Sequence, residues 1–268
     1  MPGYRDQEYL LNEQYKDAAN FSARVELNRR FSVNKYGWQR WVFDQLRVDE
    51  GGSVLELGCG PGWLWSGNQQ HIPVSWQITL SDFSPGMLHE ARQRLGEERF
   101  HYQVIDALAI PYADQSLDAV IANHMLYHVP NLPQALAEIR RVLKPGGHLY
   151  ATTIGRQHMR EMDALVQQAL PDIPWRGMGQ RLPFALENGQ ELLEPFFASV
   201  VLLTYEDALE VSEVEPLLAY ARSGFLGSRL NETQLTTLRS HMQQELTAYG
   251  TIHVTKAAGM FITSKVSP

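Results

Sequence analysis

The sequence predicts an α/β protein whose mostly parallel, doubly wound sheet is covered by helices and topped by a helical cap. Three observations predict it. Short apolar runs alternate with helical stretches, the first run stops in closely spaced glycines, and an acidic residue stands just after each of the next two runs. Short apolar runs bounded by turn residues read as buried strands, and alternation with helices makes those strands parallel and covers both faces of the sheet.

The elements follow in order. The first 45 residues read as helical: Tyr9, Leu10, Tyr15, Ala18, Ala19 and Phe21 recur at rough helical spacing, and 22–30 continues after a break. Trp38, Trp41, Val42 and Leu46 mark an amphipathic helix ending near Arg47. After Asp49-Glu50-Gly51-Gly52, strands are expected over 53–57, 76–80, 101–105, 117–122 and 147–153. Helices are expected over 84–95 and 132–143, the second halted by Lys144-Pro145-Gly146-Gly147. Pro171, Pro174, Pro183 and Pro195 fragment 155–195, which reads as an insertion or lid. The β-branched stretches 197–204 and 251–263 suit an antiparallel edge, and 214–221 and 232–249 are helical in pattern.

Composition narrows the function. The 268 residues carry 23 Lys plus Arg against 30 Asp plus Glu, a net charge of −7. Phosphate contacts need clustered cations, and Arg29-Arg30 and Arg140-Arg141 are isolated pairs, so no nucleic acid is expected as partner. No apolar run approaches ~18 residues, so no membrane insertion is expected. The N-terminus is polar at once, without a signal-peptide core, and the single Cys59 allows no intramolecular disulfide or multi-thiolate zinc site; a cytoplasmic location is expected. The oligomeric state is left open.

The chemistry concentrates in Val54-Leu55-Glu56-Leu57-Gly58-Cys59-Gly60-Pro61-Gly62, a strand running into alternating glycines and then a helix. Glycines let the backbone turn sharply and approach a ligand, and the helix start offers unpaired N–H groups. A dinucleotide fingerprint needs its third glycine where Trp63 stands, and no Gly-Lys-Ser/Thr loop is present, which argues against nicotinamide cofactors and nucleoside triphosphates. Asp82, after the second strand, suits the two hydroxyls of a ribose or an N-cap; Asp106, after the third, suits an adenine amine or a turn. All converge where open α/β sheets bind ligands.

These residues resemble the class I S-adenosylmethionine-dependent methyltransferases, in the branch holding the ubiquinone/menaquinone C-methyltransferases and many small-molecule enzymes. The resemblance rests on 56–62, on Ser81-Asp82-Phe83-Ser84-Pro85-Gly86-Met87-Leu88, on Asp106-Ala107 with 111–120, on Leu126-Tyr127-His128-Val129 and on 138–147. It covers roughly residues 50–155 and implies a seven-stranded Rossmann-like methyltransferase fold with S-adenosyl-L-methionine as cofactor. It further implies that Glu56 organises the loop by the methionine amine, and that Gly58, Cys59 and Gly60 underlie the cofactor. Asp82 would hold the ribose, with Phe83 and Met87 packing near the adenine. Asp106 and Ala107 would meet the adenine edge, and Asn123 and His124 would border the methyl donor. The chain is then a single methyltransferase domain over 1–268, with an N-terminal helical lid at 1–47, a cofactor-binding core at 48–155 and cap insertions at 156–195 and 214–250.

The expected reaction moves a methyl group to a small-molecule acceptor through O, N or C, by in-line displacement. The alternatives are cofactor binding without methyl transfer, as a sensor or partner subunit, and methylation of a macromolecule with a partner. His124 and His128, with side chains that ordinarily titrate near ~6.5, are candidate bases or else packing and capping residues. Their spacing also suits a metal pair, but no third ligand is apparent and no metal is expected. Tyr15 is a further candidate at the cofactor carboxylate or the acceptor. Tyr36, Trp38, Trp175, Met178 and Phe184 are lid candidates or ordinary packing.

Overall fold

The computed structural model describes residues 7–14, 19–175, 177, 179, 182–224 and 226–265. A short turn α1 (Gln7–Tyr9) leads through a π-helical turn to α2 (Ala19–Phe31) and α3 (Trp38–Asp44). The central run is β1 (Ser53–Leu57), α4 (Trp63–Ser66), β2 (Gln77–Asp82), α5 (Pro85–Leu95), β3 (Phe100–Val104), β4 (Leu117–Asn123), α6 (Leu132–Val142) and β5 (Leu143–Ile154). Then come α7 (Arg160–Ala169), α8 (Gly189–Leu193), β6 (Ser199–Val211), α9 (Val214–Arg222), α10 (Glu232–Tyr249) and β7 (Ile252–Ser264).

The strands form a seven-stranded sheet in the order β3-β2-β1-β4-β5-β7-β6. β1 to β5 are parallel, and β7 runs antiparallel between β5 and β6. Strand order reverses between β1 and β4, so a crevice opens beyond their carboxyl ends. Side chains alternate across the sheet. Leu55, Leu57, Val120 and Ala122 pack on one face against Leu136 and Ile139 of α6. Val54, Ile78, Leu80 and Ile121 pack on the other against Val42 of α3, Trp65 of α4 and Ala91 of α5. A third apolar cluster joins Leu27 of α2, Val166 of α7, Leu217 of α9 and Leu238 of α10 to Leu209 and Val254 at the far ends of β6 and β7.

Local signals explain the element ends. Ser84 caps α5 by accepting from Met87 N, with Pro85 at the first helical position, and Gly96 (φ 74°) ends it. Asn231 and Gln234 form a reciprocal capping box at α10.

The structure corrects three expectations. β6 continues to Val211, beyond residue 204, and pairs with β7 along its whole length. Asp207 and Glu210 interrupt the apolar pattern there, and both are held by partners, Lys256 and His253. Helix α7 lies within the stretch read as fragmented, because the prolines begin only after it, at Pro171. β5 starts at Leu143, through the predicted helix stop, with Gly146 at φ 78° inside it.

The pairing of β7 is uneven. β5 reaches only Ala258, through Ile154, whereas β6 continues to Ile252. Residues 252–257 therefore project past the end of β5. Their free edge is taken by the next loop and helix: Gly155 N donates to Ala257 O (3.0 Å), Met159 N to Thr255 O (2.8 Å), and the Glu161 carboxylate accepts from Thr255 N (2.7 Å).

Candidate active site

The loop after β1 is built on positive φ at Gly58 (67°), Gly60 (52°) and Gly62 (77°). A Cβ at Gly58 would lie 2.8 Å from Met125, and one at Gly62 2.6 Å from Leu95. A Cβ at Gly60 would meet nothing within 4 Å and would stand in the crevice itself. The loop is tied to β2: Asp82 accepts from Gly60 N (2.9 Å) and Ser84 N (2.8 Å), and Cys59 N donates to Ser81 O (2.8 Å). The cap of α5 is thus Ser84, while Asp82 spans two loops and keeps carboxylate lone pairs for a ligand.

Glu56 is 1% exposed and accepts from Trp65 Nε1 at 2.6 Å. Burial pushes its carboxyl up to about 8, the Trp65 hydrogen bond opposes this, and the Asp82 charge adds to the rise. Burial likewise raises Asp82, against the pull of the Ser84 and Gly60 N–H groups, and raises the Cys59 thiol, which is therefore a poor nucleophile. The Glu56 shift has a sign. Its folded value lies above the ordinary 4.5, so its stabilisation is full below about 4.5 and is lost as pH rises through about 8. Thermal melts across that window should show the wild-type Tm falling more steeply than that of Glu56→Gln; parallel profiles would refute the assignment.

Asp106 Oδ1 accepts from Leu108 N (2.9 Å), shaping the turn after β3. At the end of β4, the Thr152 hydroxyl donates to Asn123 Oδ1 (2.6 Å), and Thr152 Oγ1 in turn accepts from His124 N (2.9 Å). His124 takes φ 54°, sparsely populated for a residue with a Cβ, and its ring lies 5.1 Å from that of Trp38. Burial lowers His124 to about 4, aided by the nearby charges of Lys256 and His128. It is therefore neutral at pH 7 and a weaker base than an ordinary histidine. His128 ends the 3-10 turn Leu126–His128, its ring edge-on to Tyr127 at 4.6 Å.

These residues share one cavity of about 710 Å³ at the carboxyl ends of the strands. Every candidate from the glycine loop and from the ends of β2, β3 and β4 borders it, Phe83, Met87 and Ala107 included. Tyr15 and Met178 lie outside the described residues. Of the lid candidates, Tyr36 and Trp38 border the cavity. Trp175 and Phe184 do not: Trp175 donates to Asp163 (2.9 Å) in the third cluster, and Phe184 is buried against Phe261. Trp38 and Trp63 border the cavity, and their buried indole N–H groups have no acceptor among the described residues. Among the described residues no group of three or more His, Cys, Asp or Glu could hold a metal ion, and no helix is long and apolar enough to cross a membrane.

Sequence reasoning missed His158 and Lys256, which also border the cavity. One signal for Lys256 was present: a lone lysine in an otherwise apolar strand, Val254 to Met260, is unusual unless its charge is answered.

The fold and crevice define an open, doubly wound α/β protein with its ligand site at a topological switch point. The sequence profile of a family described as a methyltransferase domain matches residues 55–151. Residues 55–151 thus resemble a methyltransferase domain. The chain is 37% identical over 110 residues to a ubiquinone/menaquinone biosynthesis C-methyltransferase of Desulfotalea psychrophila, covering 41% of this chain and 44% of the relative. It is 31% identical over 158 residues to a malonyl-[acyl-carrier protein] O-methyltransferase of Erwinia pyrifoliae, covering 59% and 58%. The chain thus spans about half the length of the curated relatives it matches. In fold it is similar to phosphoethanolamine N-methyltransferase 2 of Haemonchus contortus, solved with phosphomonomethylethanolamine and S-adenosylhomocysteine. The TM-score is 0.60 at 18% identity, over all of this chain and 61% of that one.

Proposed function

We propose that this chain binds S-adenosylmethionine in the crevice and transfers its methyl group to a small-molecule acceptor, releasing S-adenosylhomocysteine. One observation carries the reading: Gly60, Asp82, Asp106 and the Asn123–His124 turn, from the ends of four adjacent parallel strands, open onto a single cavity. The space above Gly60, which a Cβ would enter, suits a ligand lying on the loop backbone. Asp82 holds the ribose hydroxyls with the lone pairs left by Gly60 and Ser84. Asp106 and Ala107 meet the adenine, and Phe83 and Met87 flank it. Glu56 faces the methionine amine through the loop it organises.

When bound, the cofactor supplies a methyl group already activated on a positive sulfur. The protein then has to align the acceptor, exclude water and, where the nucleophile carries a proton, remove it. Neutral His124, beside Trp38 at the end of β4, orients the acceptor and accepts a hydrogen bond from it; His128 supports the same turn. The lid is supplied by described residues of α2 and of 32–40, with His158 and Tyr220 joining them from 156–195 and 214–250.

The test is calorimetric titration with S-adenosylhomocysteine, with NAD and ATP as controls. Saturation at ~100 times the dissociation constant should stabilise the fold by about 2.7 kcal/mol. Incubation with S-adenosylmethionine and a panel of phenols, amines and quinols should then yield S-adenosylhomocysteine. A folded sample that fails to bind it sinks the proposal at its base; binding with no turnover on a broad panel favours a binding module or a macromolecular acceptor.

A further inference from the structure

The cavity has acidic side chains at one end and basic ones at the other. Its acidic lining residues, Glu56, Asp82 and Asp106, sit at the ends of β1, β2 and β3. Its cations come from α2, from the segment leading into α3, from α3 itself and from the projecting end of β7. The outer ones are answered at the surface: Arg29 pairs with Glu26, Arg40 with Asp44, and Lys35 donates to Ser32 O. The inner ones are Arg24, bonded to Ser223 Oγ (3.1 Å) and Ser223 O (3.0 Å), and Lys256.

Lys256 is held in an unusual place. Its side chain is 9% exposed, and its ammonium donates to Asp207, whose side chain is wholly buried, at 2.7 Å. Burial pushes the Asp207 carboxyl up, but hydrogen bonds from Lys256, the Ser32 hydroxyl and Asn34 N outweigh it and keep Asp207 ionised. An ammonium has three donors. Asp207 is its only hydrogen-bond partner among the described residues. On the neighbouring loop, His158 Nδ1 accepts from Ala257 N (3.3 Å), which leaves Nε2 as an N–H donor. Burial, with the charges of Lys256, His124 and Arg24, lowers His158 to about 3, so the ring is neutral and keeps that tautomer. Asn28, one turn along α2 from Arg24, has its Oδ1 buried with no donor among the described residues. This end of the cavity therefore presents two donors, the Lys256 ammonium, whose charge Asp207 balances, and His158 Nε2.

We propose that Lys256 and His158 hold an ionised oxygen of the methyl acceptor, so that the acceptor is a small molecule bearing a carboxylate, phenolate or enolate. This deepens the methyl-transfer reading and rests on it. A neutral oxygen can accept from the same two donors, but an ionised one receives charge-assisted hydrogen bonds, which are shorter and about twice as strong. The acidic end suits the sulfonium and amine of the cofactor, so the two ligands enter with complementary charges. Lys256 and His158 act here by binding and orienting; neither exchanges a proton in the transfer.

The test uses the intact chain saturated with S-adenosylhomocysteine, titrated with benzoate against benzamide and with salicylate against salicylamide. Each acid should bind at least about tenfold tighter than its amide. That preference should vanish in Lys256→Met and shrink in His158→Phe, with S-adenosylhomocysteine affinity unchanged in both. Lys256→Met strands Asp207; where it fails to fold, the double change Lys256→Met with Asp207→Leu removes the pair together, and the acid–amide comparison in wild type needs no variant. Equal binding of acids and amides, or no acid binding to the loaded protein, overturns the inference and leaves methyl transfer standing. A loss of S-adenosylhomocysteine affinity in folded variants also overturns it, because the cluster then serves the cofactor's own carboxylate. Failure of S-adenosylhomocysteine to bind wild type sinks the methyl-transfer reading and this inference with it.

Discussion

Replacing Asp82 by alanine should weaken S-adenosylhomocysteine binding by about 1–3 kcal/mol, roughly 5- to 150-fold. Two losses combine. The ribose hydroxyls lose their acceptor, and the N–H groups of Gly60 and Ser84 lose the carboxylate that now ties the glycine loop to the start of α5. Asp82→Asn separates them in part. The amide keeps one oxygen acceptor but turns a donor toward one of the two N–H groups, so the loop suffers even where one ribose contact survives. Calorimetry on samples with matched thermal stability reads the outcome. Wild-type affinity in a folded Asp82→Ala would mean that the carboxylate serves only the loop.

Trp65→Ala should be the most destabilising single change in the cofactor core, costing about 3–5 kcal/mol. Trp65 is fully buried, with its ring against Phe43 and Phe100 at 6.3 and 5.9 Å. For a chain of this size that loss lowers Tm by ~6–20 °C. Trp65→Phe keeps most of the volume but removes the indole donor, leaving the Glu56 carboxyl buried without its partner at a cost of about 1–3 kcal/mol. Melts of the two variants apportion packing against hydrogen bonding; a Phe variant as stable as wild type would show that the Glu56 bond contributes nothing net.

The cofactor half of the site was legible because its signals are local. Glycines that need positive φ, an acid at a strand end and a Ser-Pro helix start are each readable within a few residues, and parallel strands bring their ends together without further information. Asp106 takes the turn role that sequence reasoning had set beside its ligand role, whereas the N-cap role set beside that of Asp82 falls to Ser84. Asp106 shapes its turn and Asp82 braces the loop, and both still border the cavity. The proposed acceptor half was illegible because its contacts are remote in sequence. Lys256 depends on Asp207, His158 on Ala257, and Arg24 on Ser223. Periodicity also could not distinguish core from lid: Phe184 and Trp175 look like Tyr36 and Trp38 in composition, yet only the latter two reach the cavity. The ordinary value for a histidine misjudged His124, because a sequence holds no measure of burial.

The projecting end of β7 makes the proposed acceptor site depend on counting. Side chains on a strand alternate faces, and Lys256 and Ala258 share the face toward the cavity. The pairing of β7 with β5 anchors residues 258–264. With that anchor fixed, inserting one residue between Lys256 and Ala258 would turn the lysine to the opposite face. Inserting two would return it to the cavity side but carry it about 7 Å farther from the end of β5. Two chains with identical glycine loops could thus accept different molecules through the odd or even length of one short stretch. Such a change would leave the cofactor end intact, which makes this stretch a natural place for acceptor preference to diverge.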